Sequence, residues 1–179
     1  MNRRVFFVSS SRSKWFESQN APEHFAAAPY SVDAIGYNLE KRGWEVHWAG
    51  WPSTRNPFRL ARLIDRYTPD IIYTYGSLVA LHPLFCRRFL CRHKAFKVVH
   101  GWDDHYGRIW GDLAGWPGRV FMNWMEKRIV RNSDAVVTLS YELQKIGRRW
   151  DVECKYIPNG GSPRSAGKRG WPRRVRSRH

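Results

Sequence analysis

The chain has 179 residues, enough for one domain with a sizeable core and too few for two of ordinary size. Its 42% apolar content and ten tryptophans exclude a disordered polymer, and no run approaches the roughly 18–20 apolar residues of a membrane-spanning helix. The net charge of +16 is unevenly spread: residues 162–179 hold seven Arg and Lys and no acid, which leaves 24 basic against 15 acidic residues, a net +9, over 1–161.

That balance points to an anionic partner (nucleic acid, a phospholipid surface or a phosphate-bearing substrate) or to a solvated basic surface with no dedicated partner. Cys86, Cys91 and Cys154 are odd in number and lack any CxxC or zinc spacing, so they read as reduced thiols of a cytoplasmic protein. The start, "NRRVFFVSS", is basic but has only four consecutive apolar residues, too few for a secretory signal.

Short apolar runs then alternate with helical periodicity. "VFFVSS" (5–10) is a strand running into serines. After an irregular stretch, Ser31 is placed to cap a helix with Val32, Ile35 and Leu39 on one face and Gly43 just past its end. "EVHWAGW" is a second strand. The next helix carries Phe58, Leu60, Ala61, Leu63 and Ile64 on its apolar side, and Pro69 ends it. "DIIYTYGS" is strand three. A helix over about 84–96 sets Phe85, Cys86, Phe89, Leu90 and Phe96 opposite Arg87, Arg88, Arg92 and Lys94. "FKVVHGW" is strand four; Phe121, Trp124, Met125 and Ile129 mark a further helix with Trp124 as a core position. "DAVVTLS", "YELQKIGRRW" and "KYIPNG" complete the series as strand, helix and strand.

Six strands alternating with five helical patterns predict an α/β fold, an open parallel Rossmann-like sheet with helices on both faces. Ligands of such sheets bind beyond the carboxyl ends of the strands. Ser9, Ser10, Gly76, Asp103, Asp104 and Ser140 fall there and are the candidate cleft residues. In "HGWDDHYG" (100–107), His100 is the candidate for proton handling, since imidazole can donate and accept near neutral pH. Asp103 and Asp104 read equally well as caps of the next helix. The spacing matches no established metal pattern, and the first strand–helix junction has neither GxGxxG nor GxxxxGK[ST]. The basic face of the 84–96 helix is suited either to anionic headgroups or simply to solvent.

The segment "MEKRIVRNSDAVVTLSYELQKIGRRWDVECKYIPNGG" resembles the end of the acceptor-side domain of GT-B glycosyltransferases, in particular the family-4 group. There a Glu-bearing helix precedes (A/S)-D-x-V-hydrophobic-x-x-S, a helix and I-P-N-G. "LEKRGWEVHW" is similar to the family's L-x-x-x-G-H-E-V, with Trp44 in place of the usual His, and "VVHGW" falls where members carry a strand ending in His. The resemblance covers 1–161. It implies half of a GT-B fold, with His100 near the acceptor or reacting sugar, Ser140 facing the cleft, and Asn159 and Gly160 starting the crossover to a donor-binding domain. That domain would carry the nucleotide-sugar contacts and the E-x7-E motif, which this sequence lacks. The resemblance therefore implies no cofactor held by this chain alone and a nucleotide-sugar donor in full-length relatives. It also implies a sugar or lipid-linked acceptor, and a truncated or frameshifted enzyme with little transfer of its own. The 162–179 segment reads as a disordered basic tail. The alternatives are a stand-alone basic domain, peripheral at an anionic membrane surface or completed by a separate donor subunit, and a nucleic-acid binder.

Overall fold

The computed structural model describes residues 3–9, 32–49, 55–76 and 78–157. The expectations for Ser10, Ser31, Asn159, Gly160 and the 162–179 tail lie outside the described residues.

Strand β1 (Arg4–Ser9) is followed by helix α1 (Val32–Lys41), β2 (Glu45–Ala49), α2 (Pro57–Tyr67) and β3 (Ile71–Tyr75). A single 3₁₀ turn, Leu78–Ala80, leads into α3, which runs Leu81–Phe85 and continues as a π-helical turn, Cys86–Leu90. Then come β4 (Lys97–Trp102), α4 (Tyr106–Asn132), β5 (Ala135–Thr138), α5 (Tyr141–Arg149) and β6 (Cys154–Tyr156). All six strands are parallel, in the order β2-β1-β3-β4-β5-β6. The order reverses between β1 and β3, which is the topological switch point where such sheets open a crevice.

β1 is buried on both faces, as its unbroken apolar run requires: Val5, Phe6, Phe7 and Val8 are all buried. Phe6 and Val8 join Leu60, Ile64, Ile72, Cys86, Phe96 and Val98 in a core under α2 and α3. On the same face, Trp102, Val130, Val136, Leu143 and Cys154 form a second cluster under α4 and α5. The opposite face stacks Phe7 on Trp48 at 4.3 Å, with α1 packed above through Gly36 against the Trp48 ring.

Local signals explain most boundaries. Asn56 caps α2 by accepting from the Phe58 and Arg59 amides, with Pro57 in the first turn. The chain leaves α1 at Gly43, at φ 80°. α3 ends earlier than the sequence suggests: it stops at Leu90 instead of running to 96. Arg87 ties this end down by donating to the carbonyls of Phe96 and Asn132 and pairing with Asp134. Several apolar positions assigned inward point outward. Phe58, Phe85, Phe89 (66% exposed) and Trp124 (53%) are at the surface. The helical spacing was correct, but the stripe it marks on α3 and α4 is only partly covered by the sheet.

α4 is two antiparallel legs, 106–114 and 116–132, folded back on each other at Gly115, whose φ of 68° and ψ of −164° break the helix. Pro117 restarts it within the first turn of the return leg, where its missing N–H costs nothing. The legs touch through glycine: a Cβ on Gly107 would overlap the Asn123 side chain. Gly107→Ala should therefore lower stability by about 1–3 kcal/mol, as overpacking does. Gly111→Ala, whose Cβ would meet the Arg119 side chain at 3.1 Å, should be close to neutral; urea denaturation of the two variants separates these outcomes.

Candidate functional site

The carboxyl edge of the sheet near the switch point is built from the ends of β1, β3 and β4. Ser9 pairs with Tyr75 in the β1–β3 register, and Tyr75 with Gly101 across β3–β4. Gly76 follows β3 directly, buried and at φ 91°, so that the chain turns sharply away from the edge.

Side chains alternate along a strand, and this alternation divides the predicted residues. Tyr73 and Tyr75 lie on the α1 face. Tyr75 and the Asp103 carboxylate just beyond β4 are near enough to shift one another's protonation. Burial, with the Asp103 charge adding to it, pushes both phenols up to about 12, so they remain donors at any physiological pH. Asp103 is itself raised, by burial first and then by neighbouring Asp104, against the pull of backbone amides and the Tyr75 hydroxyl. A half-buried carboxylate beside a phenol offers both an acceptor and a donor of hydrogen bonds at this edge. Residues 73 and 75 were legible only as strand residues, since nothing local in the sequence ties Tyr75 to a residue 28 positions later.

His100 lies on the other face. It is not at the strand tip, because β4 continues to Trp102. It is 1% exposed, and its Nδ1 is 3.0 Å from Thr74 Oγ1 on β3. Burial pushes the imidazole down to about 4, so it is neutral at pH 7. The structure does not bring His100 and Asp103 together.

The loop after β4 departs from expectation as well. Neither Asp103 nor Asp104 caps α4; the Asp103 carboxylate accepts from the Asp104 amide, and His105, at the N-cap position, makes no side-chain cap. The cap comes from 19 and 20 residues further on. Glu126, 1% exposed on the return leg, accepts from the Tyr106 amide at 2.8 Å and the Gly107 amide at 2.9 Å. It also accepts from the Trp102 indole at 3.1 Å, and His105 Nε2 lies 3.7 Å away. Burial raises its carboxyl, while the amides, the indole and His105 pull it back. Ser140 is also committed locally, its hydroxyl accepting from the Glu142 amide as the cap of α5. Among the described residues, no group of three or more His, Cys, Asp or Glu side chains converges in a way that could hold a metal ion. No helix among them is long and apolar enough to cross a membrane.

An open, all-parallel six-stranded sheet with helices on both faces defines an α/β domain of the Rossmann-like class. Residues 6–160 match the glycosyl transferase 4-like domain, and the chain belongs to that family. Among solved structures it is similar to the sucrose-phosphate synthase of Thermosynechococcus elongatus, with a TM-score of 0.57 at 14% identity, covering 90% of this chain and 49% of that one. The chain thus spans about half the length of that enzyme, and the fold is that of one half of a GT-B protein. A GDP-L-fucose synthetase from Naegleria fowleri bound to NADP aligns over 88% of this chain and 49% of its own at 10% identity, but with a TM-score of only 0.36. Nothing among curated proteins matches the sequence.

Proposed function

We propose that this chain is the acceptor-binding half of a glycosyltransferase, taking part in sugar transfer from a nucleotide-sugar held by a separate donor-binding domain. The observation that carries the reading is the Tyr75–Asp103 pair at the open carboxyl edge of a sheet whose family match runs from residue 6 to 160. Hydroxyls of a sugar or lipid-linked acceptor are the chemistry such a pair serves: the carboxylate accepts from one hydroxyl, and the phenol oxygen orients it. His100 enters as a positioning residue beneath that edge, its neutral imidazole aligning β4 with β3 through Thr74. The charge stabilisation that a departing nucleotide diphosphate needs would come from the donor domain.

Calorimetric titration tests this with a panel of mono- and disaccharide acceptors and, separately, of nucleotide-sugars. The expected result is binding of an acceptor and of no nucleotide-sugar. Asp103→Asn should weaken acceptor binding about tenfold or more, the loss expected when a charged acceptor of hydrogen bonds becomes neutral, with the urea midpoint unchanged. Binding of nucleotide-sugars by this chain, with acceptors ignored, would overturn the assignment.

A further inference from the structure

We propose that the surface formed by α3 and the return leg of α4 seats on an anionic lipid bilayer, an inference independent of whether the chain takes part in sugar transfer. Two pairs of aromatic rings stand out from these elements. Phe85 and Phe89 project from α3 with ring centroids 5.0 Å apart, and Phe121 and Trp124 project from the return leg with centroids 6.3 Å apart. All four are exposed. A groove of about 720 Å³ runs between the elements, with Phe85 and Phe89 on one wall and Arg128 on the other. The Arg128 guanidinium lies 5.4 Å over the Trp124 ring, so groove and aromatic pairs form one continuous surface.

The charge on this surface is of one sign. Arg88, Lys94 and Arg128 line the groove, and no carboxylate does. Arg87 is taken up by Asp134, whereas the other three make no ion pair among the described residues. Exposed aromatic rings beside unpaired cations, on neighbouring helices, match what the boundary of an anionic bilayer offers: rings settle at the headgroup level and Arg and Lys meet the phosphates. A net charge of +9 over 1–161 favours the approach. Single-stranded nucleic acid could also use rings and cations, but it stacks bases on flat faces one at a time. Here the rings pack against one another in tilted pairs and present a shared apolar surface instead.

Vesicle co-sedimentation of the full chain is the test, with vesicles of phosphatidylcholine alone and with 30 mol% phosphatidylglycerol, alongside a single-stranded oligonucleotide as competitor. The expected result is binding to the anionic vesicles and not to the neutral ones. Neutralising three charges together (Arg88→Gln, Lys94→Gln, Arg128→Gln) should weaken it about a hundredfold, roughly fivefold per charge. The second variant, Phe89→Ser with Trp124→Ser, leaves the charge unchanged and should also lose at least tenfold, which generic attraction to the basic segments would not produce. These side chains are exposed, and matching urea midpoints would confirm that the fold is kept. Undiminished vesicle binding by the aromatic variant would overturn the proposal, as would oligonucleotide binding that both variants abolish while vesicles are ignored.

Discussion

Glu126→Ala should cost about 3–6 kcal/mol of stability. The carboxylate is the shared acceptor of two buried donors, the Trp102 indole and the Gly107 amide, and of the part-buried Tyr106 amide. Removing it leaves each donor without a partner, at about 1–3 kcal/mol apiece, with partial relaxation offsetting the sum. The site lies where β4 hands over to α4, so the loss should also be visible locally. Trp102, stacked on Trp150 at 5.3 Å, should change its near-ultraviolet circular dichroism before the sheet unfolds. Glu126→Gln is the informative companion. Its one carbonyl oxygen can take over the Oε1 bonds to Trp102 and Tyr106, but its NH₂ then faces the Gly107 amide, donor against donor. An intermediate loss of about 1–3 kcal/mol is expected. Equal loss in both variants would show that negative charge, not the acceptor geometry, holds the junction.

Acid should destabilise the protein through His100. The imidazole titrates near 6.5 in the unfolded chain and at about 4 when folded, lowered by burial. Between those values the unfolded state binds a proton that the folded state refuses, so stability falls as pH drops from about 6.5 to about 4 and is fully present above that window. The full shift corresponds to about 3 kcal/mol. Urea midpoints between pH 7 and pH 4 measure it, and His100→Gln isolates it: glutamine retains a partner for Thr74 but cannot titrate. The variant should be less stable than the parent at pH 7 and should flatten the slope in this window. Parallel slopes in the two proteins would mean that the acid sensitivity comes from carboxylates elsewhere.

The sheet was legible because parallel strands buried on both faces leave unbroken apolar runs, and β1, β3 and β4 fall where those runs lie. The end of α1 was legible because its signal, Gly43, is local, whereas the Asn56 cap of α2 was not singled out although its signal is equally local. The α4 hairpin was not legible, because its first leg has Gly107 and Gly111 at helical spacing where a helix would ordinarily place larger apolar residues. Those glycines let a second helix come close, so the leg packs by the absence of side chains, and hydropathy registers nothing. Glycines four apart at 107, 111 and 115 were the available signal. The misplacement of Trp124 and Phe89 has a different cause: amphipathic periodicity shows that a stripe exists, not that the sheet is wide enough to cover it. The candidate site was half legible. Asp103 was legible as a polar residue just past β4, but its nearness to Tyr75 and the burial of His100 depend on which way alternate residues face, which the register decides.

The hairpin also separates reach from stability. Its base is clamped at Glu126, and Trp116 stands ten residues before that clamp on the return leg, so the tip lies about 15 Å beyond it. Leu113 and Trp116, each 75% exposed, contribute nothing to the sheet's core. A matched turn of helix added to or removed from both legs would lengthen or shorten the arm by about 5.4 Å without moving a strand. The arm is a cantilever, whose length is free to vary because its fixed end bears the load.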